Sequence, residues 1–278
     1  MAKVLGKSGA WAPIHKELAR LGLLVRDPSD IKDILQYLRD NQAASVQKKR
    51  TEVDERMAPL EEKIQMLRAE KRLFWQVLNW FREMPPQIKI HSLMQEVEVY
   101  RKTLEEKIHT LAHIQNSVEL SGAKAEFAVI KELRRLPDNY TVFNDLNLRA
   151  NRYIHFDGVA LQSAQIDHIV LGPSGIFVIE TKSWSKEFSE RGDYHNPFDQ
   201  VKRAAYLCYR KVQRIGGVHV RSIIASDGHL PTKPQDSKVK VLRISELAGY
   251  IKWFTQNEIS PVYFTKLETY LLQHIGGQ

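Results

Sequence analysis

From Ile31 to Val118 the chain runs without a glycine, is dense in Glu, Lys, Arg, Gln and Leu, and repeats its apolar residues at helical spacing. Only helices suit such a stretch. Val53, Met57, Leu60, Ile64 and Leu67 follow alternating steps of four and three, the a/d seam of a coiled coil, and Phe74, Leu78 and Phe81 continue it. In "EMPPQ", Pro85 and Pro86 predict the end of that helix, because proline lacks the amide donor and restricts the residue before it. "HSLMQ" then offers Ser92 and Gln95 as a capping box for a second helix. Its stripe is Leu93, Val97, Tyr100, Leu104, Ile108, Leu111, Ile114 and Val118. Two long helices joined by a short Pro-containing bend predict an antiparallel coiled-coil hairpin. Phe74, Trp75, Val77, Leu78, Trp80 and Phe81 spread beyond the seam such a hairpin needs. A further element or a second subunit is expected to cover them, so homodimerisation or another protein partner is expected at this arm.

After Leu120 the pattern changes to short strand-like runs: "YTVFNDLNL", "AQIDHIVL", "IFVIETKS", "VHVRSIIAS" and "VKVLRIS". Helical patterns flank them. "SGAKAEFAVIKELRRL" places Phe127, Ile130 and Leu133 on one face, and "NPFDQVKRAAYLCYRKVQRIG" starts with Asn196 and Pro197, residues suited to a helix start. "SELAGYIKWF" and "PVYFTKLETYLLQHI" supply two more helices. The expected architecture is an α/β domain with a mixed, partly antiparallel sheet flanked by helices. The expected organisation is a short segment over residues 1–30, the hairpin over 31–120 and the α/β domain over 121–278.

Lys and Arg outnumber Asp and Glu by 41 to 33. That excess favours phosphates or another anionic partner without establishing one. The single cysteine, Cys208, excludes an internal disulfide and a structural zinc site, fits a reducing cytoplasm, and reads as a small buried apolar residue. No apolar run reaches the roughly 18 residues of a membrane span, and "MAKVLGKSGAWAPIHKELARLG" lacks the apolar core of a signal peptide. A soluble, unprocessed, cytoplasmic chain that makes no membrane contact is therefore expected.

"QIDHIVLGPSGIFVIETKSW", residues 165–184, sets Asp167, Glu180 and Lys182 inside two apolar runs. "GPSG" reads as a four-residue hairpin loop, which makes the flanking strands antiparallel neighbours. Alternation along a strand projects Glu180 and Lys182 to one face and Thr181 to the other. An E-x-K triplet alone would also suit a surface ion pair. The Asp on the preceding strand, the apolar flanks and Glu126 on the preceding helix favour a buried site. Burying such charges alone costs several kcal/mol each, and a divalent cation held by the two carboxylates would offset that. Oxygen-only ligands suit Mg²⁺ or Mn²⁺ and do not suit zinc. His168 falls on the face opposite Asp167, which gives it a structural role.

"GAKAEFAVIKEL", "FNDLNL", "QIDHIVLGPSGIFVIETK" and "NPFDQ", in this order, resemble the NERD (nuclease-related) domain, a branch of the PD-(D/E)xK nuclease superfamily. The resemblance spans about 121–214 and leaves the amino-terminal half outside. It implies a restriction-endonuclease-like core and hydrolysis of nucleic-acid phosphodiesters with Mg²⁺ or Mn²⁺. It makes Asp167 and Glu180 the metal-binding acids, Lys182 the conserved lysine and Glu126 the acid of the first helix, with these four as the catalytic set. Gln200 matches a family position that touches substrate or orients the lysine, although an ordinary helix-surface glutamine fits as well. After Lys182 the chain departs from the family's glycine-containing segment, with "SWSKEFSERGDYHNP" in its place.

The helix after that loop carries Lys202, Arg203, Arg210, Lys211 and Arg214. Arg203, Arg210 and Arg214 share a face that could follow a phosphate backbone, or could simply be solvated. Together these observations predict a metal-dependent endo- or exonuclease. Its preferred substrate is DNA, in DNA processing or in defence against foreign DNA. The alternative is a non-catalytic nucleic-acid-binding or assembly protein that keeps the nuclease fold.

Overall fold

A computed structural model describes residues 1–69, 73–184, 196–228 and 238–276, and for 73–79 the backbone alone. These residues divide into two compact units, one of Met1–Pro28 with Ser117–Gln278 and one of Ser29–Asn116. The second is thus inserted in the first along the chain.

In the inserted unit, helices α2 (Ile31–Ala69) and α3 (Leu73–Gln115) lie side by side. The ion pairs Arg68–Glu83 (3.0 Å) and Arg56–Glu96 (2.8 Å) fix them as antiparallel. Val53, Met57 and Leu93 are buried between them, with Leu60, Ile90 and Val97 packed alongside. The expected break at Pro85 and Pro86 does not occur. α3 runs through both prolines, and residues 70–72, between α2 and α3, lie outside the described residues. A proline inside a helix costs about 3 kcal/mol. Here the pairing with α2 on both sides of the prolines holds the helix together. The expected capping box is likewise absent, because Ser92 sits mid-helix with its Oγ donating to the Lys89 carbonyl (2.9 Å). Trp80 and Phe81 are exposed and meet edge to face at 4.8 Å. The side chains of Phe74, Trp75, Val77 and Leu78 lie outside the described residues.

In the other unit, the described residues form a six-stranded sheet in sequential order. β1 (Lys3–Leu5) runs parallel to β2 (Thr141–Phe156), and β2, β3 (Val159–Gly172) and β4 (Gly175–Lys182) are antiparallel. β5 (Val220–Ser226) and β6 (Val239–Arg243) extend the sheet in parallel. This is the mixed α/β architecture expected of the chain. Residues 1–28, expected as a separate segment, instead belong to this unit. β1 completes the sheet edge, and Trp11 of α1 (Trp11–Arg20) meets Phe127 of α4 (Val118–Leu133) edge to face at 5.9 Å.

Helices cover both faces. Val129 and Leu133 of α4 pack with Val142, Val170, Phe177 and Ile179, joined by α6 (Leu247–Trp253). On the other face α5 (Pro197–Val212) and α7 (Pro261–Leu272) bury Val201, Leu207, Leu267 and Leu271 against Phe143, Ile169, Leu171 and Val178. Their starts follow from local chemistry. Asn196 Oδ1 accepts from the Phe198 amide (3.0 Å) ahead of Pro197, and Ser117 Oγ accepts from Leu120 (3.1 Å). The hairpin arm of β2 and β3 is longer than the sequence pattern predicts, closing at Asp157 and Gly158, whose φ values are 51° and 75°. An Asp-Gly pair is a strong two-residue hairpin signal, but the polar residues around it break the strand alternation.

A buried polar chain ties the sheet edge to its centre. The Leu5 carbonyl accepts from Asn144 Nδ2 (3.0 Å), Asn144 Oδ1 meets His168 Nδ1 (2.7 Å), and His168 Nε2 meets Thr181 Oγ1 (3.1 Å). Burial pushes the His168 pKa down to about 3, so the ring is neutral. Asn144→Ala should destabilise the protein by about 1–3 kcal/mol by leaving His168 and Leu5 unpaired. An unchanged urea midpoint would contradict that role.

Candidate metal centre and basic face

The β3–β4 ladder runs from Gly172↔Gly175 to His168↔Ile179 and stops there, whereas β4 stays paired with β5 as far as Lys182↔Ser226. The strands part where the charged residues begin. Beyond that point Asp167 Oδ2 accepts the Thr181 amide at 2.8 Å, so a side chain replaces the missing ladder bond. Strand alternation places Glu180 and Lys182 on the face covered by α5. Lys182 Nζ donates to Glu180 Oε1 (2.7 Å) and to Gln200 Oε1 (3.3 Å) at the start of α5. Glu126 comes from α4, where its Oε2 accepts from Ser8 Oγ (2.6 Å) and from the Ala10 amide (3.3 Å).

The electrostatics are those of crowded acids. Glu180 is pushed up to about 7, first by burial and then by the Asp167 charge, against the pull of Lys182. Glu126 is also pushed up to about 7, by burial and then by Asp167. Asp167 keeps some contact with solvent, yet burial still raises its pKa, opposed by the Thr181 amide and by Lys182. Asp145 contributes a further negative charge beside both Asp167 and Glu126. It lies between the paired positions Asn144↔His168 and Leu146↔Ile166, and so stands opposite Asp167 in register. Its φ of 52° is unusual for a residue other than glycine.

The structure thus brings Asp167, Glu180, Lys182 and Gln200 together, with Glu126 in electrostatic reach. The sequence reading missed Ser8, Asp145 and the Thr181 amide. Asp145 lies in "FNDLNL" and was legible as an acid, whereas only folding brings Ser8 to Glu126. Among the described residues no three His, Cys, Asp or Glu side chains are grouped as a metal-binding set. Mg²⁺ keeps several waters and is often held by one or two carboxylates, a need that Asp167 and Glu180 fit. Residues 185–195, which include most of "SWSKEFSERGDYHNP", lie outside the described residues.

The basic residues of α5 and of the turn that follows it divide into two groups. Lys202 pairs with Asp199 (3.1 Å), and Arg203 is half-buried. Arg210, Lys211 and Arg214 instead line a cleft of about 510 Å³ against Ala150–Ile154 of β2. Cys208 is buried and its thiol is pushed up to about 12, so it serves packing. No helix among the described residues is long and apolar enough to cross a membrane.

The mixed sheet thus brings paired acids and a lysine to the point where two strands part. Residues 121–226 match the family model described as NERD, nuclease-related domain. Among solved structures, the small subunit (R.BspD6I2) of the heterodimeric restriction endonuclease R.BspD6I is similar at 13% identity. Its TM-score is 0.29, over 58% of this chain and 85% of that one. Protein VC1899 from Vibrio cholerae is similar at 16% identity with a TM-score of 0.24, over 88% of this chain and 56% of that one. No curated protein matches the chain.

The raised acids give a pH-dependent signature. Folding binds their protons more tightly, so their stabilising effect is full below the ordinary value of 4.5 and is lost as the pH rises through about 7. A divalent cation favours the ionised form and reverses the trend. Mn²⁺ should therefore raise the melting temperature by several degrees near pH 8 and by much less near pH 5. Glu180→Gln should be more stable than wild type near pH 8 without metal and should lose the Mn²⁺ response. Melting curves in Mn²⁺ and in EDTA at the two pH values check this, and an equal response at both would contradict it.

Proposed function

We propose that the protein is a metal-dependent nuclease that hydrolyses phosphodiester bonds of nucleic acid, with DNA as its preferred substrate. The observation that carries this reading is the meeting of Asp167, Glu180 and Lys182 where β3 and β4 part, with buried acids whose ionisation needs a compensating cation. Asp167 and Glu180 would hold Mg²⁺ or Mn²⁺. That ion, when bound, supplies charge to polarise a phosphate and acidify a water. Lys182, only partly exposed, sets its Nζ beside the acids, where it can orient a water or offset charge developing on the phosphate. Gln200 accepts from Lys182 and so aims it. Glu126, held by Ser8 and Ala10, keeps a carboxyl near its midpoint of ionisation at neutral pH and suits proton transfer.

The nuclease-related match supports hydrolysis over the second reading, a non-catalytic binding or assembly protein, because the acids and the lysine are all present. A cytoplasmic role in DNA processing or defence against foreign DNA belongs to the same proposal, as does a homodimer or another protein partner at the helical hairpin. Trp80 and Phe81 supply the exposed aromatic surface for that partner. Trp80→Ala with Phe81→Ala should shift the sedimentation coefficient towards that of a monomer. A wild type that is monomeric at every concentration would remove the homodimer from the proposal.

The deciding experiment incubates full-length protein with labelled duplex DNA, single-stranded DNA and RNA in Mg²⁺, Mn²⁺ or EDTA. Cleavage should require the metal. Asp167→Ala, Glu180→Ala and Lys182→Ala should each lower it by about 10²-fold or more, with the fold kept. Wild-type cleavage by Asp167→Ala or Glu180→Ala would rule out this site. Binding without cleavage in either metal would favour the non-catalytic reading.

A further inference from the structure

We infer that the cleft between the β2–β3 arm and the end of α5 is a track for one strand of nucleic acid, separate from the metal centre and reached from it along α5. The inference takes its kind of occupant from the nuclease reading; its geometry is independent of that reading. The β2–β3 register shifts between Arg149↔Ser163 and Ile154↔Leu161, so residues 150–153 bulge out of the ladder. A bulge re-aims side chains away from the sheet face. This one places Asn151, Arg152 and Tyr153 across the cleft from Arg210, Lys211 and Arg214. The arm is braced on the same helix, because Phe156 stacks on Tyr206 at 4.4 Å, and Tyr206 in turn takes an Arg210 hydrogen bond at 3.1 Å.

Four of the cleft's lining residues are cationic and none is acidic. Among the described residues Arg152, Arg210, Lys211 and Arg214 form no ion pair with a carboxylate. Basic residues at a helix C-terminus can serve merely to offset the macrodipole, but that amounts to about half a charge. The cleft holds four cations, one of them from another element. Tyr153 is 64% exposed, which leaves a ring free to stack on a base. A cleft of about 510 Å³ takes a single strand, whereas a duplex would have to lie across its rim.

Length follows from the helix. Gln200 touches Lys182, and at 1.5 Å per residue Arg210 lies about 15 Å further along the axis. For a strand that keeps the stacked rise of about 3.4 Å per nucleotide, that distance separates the cleft from the reacting phosphate by roughly four to five nucleotides. Strands too short to bridge the interval gain nothing from the cleft.

The test measures binding by fluorescence anisotropy in EDTA, so that no cleavage is needed. It uses full-length protein with a fluorescein-labelled single-stranded DNA of about 16 nucleotides and with the matching duplex. The triple variant Arg152→Glu, Arg210→Glu and Arg214→Glu should bind the single strand on the order of 10–100-fold more weakly, with a salt slope shallower by about 0.7 for each phosphate no longer neutralised. Tyr153→Ala alone should weaken the single strand more than the duplex. The Lys252→Glu control, at an exposed site elsewhere in the fold, should change neither. Circular dichroism melts of each variant confirm the fold, and an Arg→Gln triple should reproduce a smaller loss if charge reversal unfolds the protein. Unchanged single-strand binding in both triples would overturn the track. An equal loss for strand and duplex, or displacement of the strand by polyglutamate of equal charge, would overturn it too. If the variants lose strand binding and the wild type cleaves nothing, the track stands and the nuclease reading falls. If cleavage proceeds and the triples bind normally, the nuclease reading survives alone.

Discussion

Thr181 is gripped from both sides, and the candidate site depends on that grip. Its amide, which has no β3 partner once the ladder stops at His168↔Ile179, is taken by the Asp167 carboxylate. Its hydroxyl on the opposite face is met by a buried, neutral His168. Because alternation is strict, fixing Thr181 fixes Glu180 and Lys182 on either side of it and turns both to the face of α5. The same bond that ends the pairing of two strands therefore sets an acid of one strand beside an acid and a base of the next.

This arrangement works against the stability of the isolated protein. Asp167 acts on both Glu126 and Glu180, and Asp145 adds its charge beside Asp167 and Glu126, while Lys182 offsets Asp167 and Glu180. A fold selected for packing alone would place apolar residues there, as it does at Ile169, Leu171, Ile176 and Val178 on the same strands. The residues outside the nuclease-related match support the arrangement. Ser8 and Ala10 bind Glu126, and Leu5 anchors Asn144, which in turn meets His168. The segment 1–28 is thus part of the site's scaffold, although a helical hairpin separates it from the rest of the unit in sequence.

Much of this was legible in the chain. The glycine-free stretch announced helices, the "GPSG" turn announced the antiparallel pair, and alternation correctly put His168 on the face away from Asp167. The prolines misled because a helix penalty of about 3 kcal/mol is a local quantity, whereas the pairing of α2 and α3 is not visible residue by residue. The bulge at 150–153 and the long arm escaped because a strand that leaves its ladder loses the period by which strands are read. Ser8 and Asp145 escaped for a different reason: their roles rest on contacts between distant segments, for which a single sequence carries no signal.

The account turns on whether the buried acids are a cation site. Titration calorimetry of Mn²⁺ into the full-length protein near pH 7, repeated in two buffers of different ionisation enthalpy, reads binding and proton release together. The account predicts one site that releases protons, because Glu180 and Glu126 stand near half-protonation there, and predicts that Asp167→Asn abolishes it. Binding without proton release, or binding that persists in Asp167→Asn, would contradict it.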